Sequence, residues 1–175
     1  MRLGGAAEEG PTAELVRARR GGQLSDLDRL LLHSPPVAEG WNALLGALRS
    51  STTLPDDVRE LVVLRIAVLN GAAFEWSAHE PIGRRAGLDD ARLAALRAAD
   101  AAADPGWTPL QRAALAYTDA STRGVAVPDE VFAAAREQLD DRGLVELAVL
   151  VGGYAMVSRV LVAFDVPPPE GEVAG

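Results

Sequence analysis

Apolar positions recur along this chain with the three-to-four-residue period of helices, and Pro, Gly, Asn and Asp cut the pattern into about eight segments. A short amphipathic stretch over 12–20 stops at Gly21-Gly22. Leu24, Leu27, Leu30 and Leu31 then follow helical spacing up to His33-Ser34-Pro35-Pro36, because a residue before proline avoids helical angles. Further helices are predicted over about 37–49 and, after the acidic start Asp56-Asp57, up to Asn70-Gly71. The chain restarts at Ala72 or Ala73 and runs to Gly87, a residue suited to a left-handed cap. Asp89-Asp90 opens a helix to about residue 103, and Asp104-Pro105-Gly106 is a turn. Thr108-Pro109 starts a helix that ends near Gly124, Pro128-Asp129 starts one to about 139, and 141–164 is the most apolar of all. No strand pattern and no internal repeat emerge, so the predicted class is all-α. The expected organisation is a mobile N-terminal arm over 1–22, one helical domain over 23–166, and an extended tail over 167–175 that opens with Pro167-Pro168-Pro169.

Composition sharpens this. The 175 residues suffice for one core, and a hydrophobic content of 49 % with only 5 % aromatics favours packed helices over sheets. A formal charge of -8 disfavours nucleic acid and anionic membrane surfaces, both polyanions. The start of the chain lacks the apolar run of a signal peptide. The apolar 144–164 segment is interrupted by Glu146, Gly152, Gly153, Ser158 and Arg159, so a buried helix of a cytoplasmic protein is expected. The chain contains no cysteine, which removes disulfides, thiolate nucleophiles and thiolate metal ligands together.

Candidate chemistry concentrates in Glu60–Gly87. Glu75 and His79 are four apart, on one face of one predicted helix, close enough for an acid/base pair or for an ordinary surface pair. Glu60 and Arg65 fit either a catalytic role or a structural ion pair. Trp76 suits packing more often than a substrate platform, and Tyr154, after Gly152-Gly153, suits a pocket or an interface equally. His33 fits the end of its helix. No pair of ligands at metal-binding spacing is present, so no metal is expected.

The run Glu60, Leu64-Arg65, Asn70, Phe74-Glu75-Trp76, His79, Pro81-Ile82 and Gly87 resembles the carboxymuconolactone decarboxylase and AhpD-like superfamily. The segments His33-Ser34-Pro35, Leu144-Val145-Glu146-Leu147 and Gly152-Gly153-Tyr154 extend the likeness over residues 25 to 166. The resemblance implies an AhpD-like helical fold that assembles as a homo-oligomer, a trimer or a hexamer. The peroxidase branch carries Cys-x-x-Cys-x-x-x-His preceded by a glutamate; here Ala72 and Glu75 stand at the cysteine positions, His79 at the histidine and Glu60 at the glutamate. Thiol peroxidase chemistry is thereby ruled out, whereas the acid/base groups remain. The resemblance implies decarboxylation or a related proton transfer on a small acid or lactone with no cofactor, His79 moving the proton, Glu75 orienting it and Glu60 behind them. Arg65 is the expected contact for an anionic substrate, with Trp76, Asn70, His33 and Tyr154 as further substrate-binding candidates. The competing expectation is a catalytically silent oligomeric scaffold or small-ligand-binding protein using the same network structurally.

Overall fold

The computed structural model describes residues 1–6 and 8–169. Nine α-helices occur in them, with no strand among the described residues: α1 (Pro11–Arg19), α2 (Asp26–Leu31), α3 (Pro35–Ser50), α4 (Asp56–Asn70), α5 (Ala73–Arg85), α6 (Asp90–Ala95), α7 (Pro109–Gly124), α8 (Asp129–Gln138) and α9 (Asp141–Ala163). Capping chemistry sets many of the starts. Ser25 with Asp28, and Thr108 with Gln111, form reciprocal capping boxes, while Asp89 and Asp140 cap α6 and α9 with their carboxylates.

Helix α4 is the axis of the fold, because its middle is buried all round and must be enclosed. Helices α5, α7 and α9 pack around it. Leu61, Val62, Val63, Leu64 and Ile66 are fully buried there with Leu45, Leu115, Leu147 and Leu150. Among the described residues α9 is the one helix long and apolar enough to cross a membrane, and here it packs against α3, α4, α5 and α7.

Two expectations change. The N-terminal segment, expected to be a mobile arm, is docked: Ala13 and Val16 of α1 bury against Leu24, Leu32 and Ala38 in a second small core. Burial of those apolar side chains supplies what a polar, glycine-rich reading of the segment does not. The helix expected over 89–103 ends at Ala95, followed by a 3₁₀ turn at Ala101–Ala103. The carbonyls of Leu96, Ala98 and Ala99 instead turn toward the buried Arg65 guanidinium, and Trp107 Nε1 donates to the Ala101 carbonyl. Within the expected tail, 167–169 has neither helix nor strand, and 170–175 lies outside the described residues.

Candidate functional site

Glu60 sits in the second turn of α4 and His79 in the second turn of α5, helices joined by the tight turn at Gly71 and Ala72. They approach closely because Gly83 has no side chain: a Cβ there would lie 3.0 Å from Leu64 and 3.7 Å from the Glu60 Cβ. In that gap His79 Nδ1 meets Glu60 Oε2 at 2.7 Å. Both residues are buried, at 7 % and 3 % exposure. With Nδ1–H donated to the carboxylate, the imidazole orientation is fixed and Nε2 is left for exchange with a ligand. The ring packs edge-on against Tyr154, centroids 5.3 Å apart.

Glu75 behaves differently from the expected partner of His79. It is 1 % exposed, and neither carboxyl oxygen has a protein hydrogen-bond partner. Burial pushes its pKa well above the usual carboxylate range, opposed only in part by the positive charge of Arg49. Glu60 therefore orients the histidine, and Glu75 is a separate acid favoured in its neutral form.

Glu75, His79 and Tyr154 line a cavity of about 360 Å³, with Glu60 behind the histidine, at the small end of ligand pockets. Phe74, Ala78, Ile82, Val157, Leu161 and Leu27 make its apolar walls. Arg19, Arg20 and Arg49 complete it. Arg49 Nε donates to Tyr154 Oη at 3.1 Å. Gly153 permits this contact, since a Cβ there would come within 3.0 Å of Leu48 on α3. Burial also pushes the Tyr154 hydroxyl up, against the pull of Arg49. The three arginines escaped the sequence reading because they lie in a segment taken for a mobile arm and at a helix end, with no local spacing that ties them to His79.

The structure thus brings together Glu60, Glu75, His79 and Tyr154, and places the other candidates elsewhere. Arg65 is a correction: 1 % exposed, it forks onto Asp119 at 2.6 and 2.7 Å and donates to the carbonyls of Leu96, Ala98 and Ala99. Its hydrogen bonds are consumed in pinning the segment after α6 to α4 and α7, away from the cavity. Trp76 donates to Glu80 and stacks under Arg97, with the guanidinium 3.7 Å from the ring centre, and lines a different cavity beside Gly71 and Ala72. The helical period turns it about 100° from Glu75, to the other side of His79. Asn70 donates to Ser158 at 2.6 Å, tying α4 to α9. His33 is exposed, and its Nε2 is 2.7 Å from the Gly4 carbonyl, where it holds the N-terminal segment. No group of three or more His, Asp or Glu side chains suited to a metal occurs among the described residues.

The model of the carboxymuconolactone decarboxylase family matches residues 35–120. The uncharacterized protein YdfG of Bacillus subtilis (strain 168) is 28 % identical over 107 residues, 60 % of this chain and 71 % of that protein. Among solved structures, ATU0492 from Agrobacterium tumefaciens, a protein of unknown function and a candidate antioxidant defence protein AhpD, superposes with a TM-score of 0.74 at 26 % identity, covering 81 % of this chain and 97 % of that one. A cysteine-to-alanine variant of the debrominase Bmp8, in complex with 2,3,4-tribromopyrrole, gives a TM-score of 0.75 at 18 % identity over 91 % of this chain and 87 % of that one, a likeness of fold.

Proposed function

Because the chain belongs to the carboxymuconolactone decarboxylase and AhpD-like superfamily, we propose that it is a cofactor-independent general acid/base enzyme acting on a small carboxylated or lactone-like molecule, with His79 as the proton carrier. The observation that carries this reading is the 2.7 Å Glu60–His79 contact at the wall of a cavity. With Nδ1–H held by the carboxylate, Nε2 is the ring nitrogen that can take or deliver a proton at a bound molecule. In a decarboxylation, the bond between the carboxylate and its carbon breaks, its electron pair stays on that carbon, carbon dioxide leaves, and Nε2–H protonates the carbon. Water then returns a proton to His79. Neutral Glu75, beside the apolar wall, is placed to donate a hydrogen bond to a carbonyl or a developing enolate. Without cysteine the chain has no thiolate to attack a peroxide, so the chemistry differs from that of a thiol peroxidase.

A silent scaffold fits less well. A structural network saturates its buried polar atoms, whereas Glu75 is buried with both oxygens free of protein partners, an arrangement that costs stability and suits a working acid. The enzyme on this reading is a cytoplasmic homo-oligomer, a trimer or a hexamer; exposed Val145, Val149 and Met156, one above another on α9, are the apolar surface that such assembly would cover. It would engage no nucleic acid and no membrane.

The test is carbon dioxide release from γ-carboxymuconolactone by the wild type and His79→Ala. We expect release by the wild type and a loss of roughly 100-fold or more in the variant. Equal rates would remove His79 from the mechanism, and no release by the wild type would refute decarboxylation of this substrate.

A further inference from the structure

The cavity contains more positive charge than its own structure uses. Arg19 and Arg20 come from the end of α1, and Arg49 from the last turn of α3. Asp28 is the carboxylate that meets the first two: Arg20 Nε lies 2.8 Å from its Oδ2 and Arg19 Nη2 3.8 Å from its Oδ1. That same Oδ2 already accepts from the backbone N–H and the hydroxyl of Ser25 in the α2 capping box. Arg19 also donates to Asn42. Arg49 has the Tyr154 hydroxyl as its side-chain partner and forms no ion pair among the described residues. Three cations thus have one paired carboxylate among them, and Glu75 adds little negative charge while it is protonated.

The arrangement is unfavourable in the free protein. Partial burial, then the like charges of Arg20 and Arg49, pull the Arg19 pKa down to about 10. A structural role explains Arg20, which latches α1 to α2, but it does not explain three guanidinium groups gathered at one opening. An anion bound among them would remove the repulsion and make charge-assisted hydrogen bonds in a partly desolvated place.

We infer that α1 completes the binding site, and that Arg19, Arg20 and Arg49 form a clamp for a carboxylate of the ligand, whose apolar body lies against Phe74, Ile82, Val157 and Leu161. This inference rests on the same cavity as the acid/base reading and adds to it the groups that select the ligand. Helix α1 lies outside residues 35–120, where the family model matches, so two of the three arginines come from this chain's own N-terminal segment. An acid with a flat, unsaturated or aromatic body is the class that fits: its charge meets the arginines, its body meets the apolar wall, and His79 and Glu75 line the same cavity. Neutral molecules of the same shape gain only the wall.

Calorimetric titration with benzoate and with benzamide, its neutral counterpart of similar shape, tests this on the full-length protein. The wild type should bind benzoate at least tenfold more tightly than benzamide. That preference should collapse in Arg49→Met and in Arg19→Met/Arg20→Met, and should persist in His79→Ala, where the arginines are intact. Because the double variant could loosen α1, Arg19→Lys/Arg20→Lys serves as its companion: it retains the charge and should retain most of the preference. Equal binding of benzoate and benzamide by the wild type, a preference that survives Arg49→Met, or loss in the lysine variant equal to that in the methionine variant would overturn the clamp. Charge-selective binding without any decarboxylation would leave the clamp standing and sink the reaction. Decarboxylation unaffected by Arg49→Met would do the reverse.

Discussion

Arg65 gives the sharpest test of how this protein divides its polar residues between structure and chemistry. Arg65→Met removes five hydrogen bonds: two to Asp119 and three to the carbonyls of Leu96, Ala98 and Ala99. The methionine fills most of the volume, so the loss is mainly polar. Breaking one side of a buried pair costs about 3–5 kcal/mol. Asp119 is 17 % exposed and keeps Arg123 at 3.3 Å, which moves the expectation to the lower end, about 3 kcal/mol. For a chain of this length each kcal/mol lowers Tm by roughly 2–4 °C, so a fall of about 6–12 °C is expected. The assay is thermal unfolding followed by circular dichroism, together with KM for any substrate the wild type turns over. Arg65→Met/Asp119→Leu should recover part of the loss, since removing both partners leaves no orphaned charge at Asp119. A melting point within about 1 °C of the wild type, or a raised KM with unchanged Tm, would refute the assignment of Arg65 as a structural pin.

Glu75 predicts a pH dependence. Its folded pKa is raised by burial and its unfolded value is about 4.3, so between the two the native state holds the extra proton. Its contribution to stability is complete below about pH 4.3 and is lost as pH rises through the folded pKa. Glu75→Gln removes that dependence, and the Tm of the variant minus that of the wild type should be more positive at pH 8 than at pH 5; a difference that does not vary with pH would contradict it. For assembly, light scattering should give three or six times the 18.4 kDa chain mass, and Val149→Glu on the exposed face of α9 should lower it; a monomeric wild type would remove the oligomer from the proposal.

Helix boundaries were legible because local chemistry fixes them. Asp56-Asp57, Thr108-Pro109, Pro128-Asp129 and the Asn70-Gly71 stop act within a turn of their own position, and the helices begin and end there within a residue or two. The absence of cysteine and the presence of Glu60, Glu75 and His79 at superfamily spacing likewise needed only the chain. Where local and tertiary forces competed, the sequence misled. The stretch 96–103 has the composition of a helix, but a buried guanidinium from another helix captured its carbonyls.

The site divides in the same way. The sequence by itself determined that an imidazole and two carboxyls lie on adjacent helices. Only the tertiary structure decided which carboxyl holds the imidazole, because the approach of α5 to α4 at Gly83 puts Glu60, nineteen residues away, nearer than Glu75 on the same helix. It also decided that Arg65 is internal mortar and that Arg19, Arg20 and Arg49 surround the cavity. Charges from α1, α3, α4 and α5 act through space, and no periodicity along the chain encodes the distances between them.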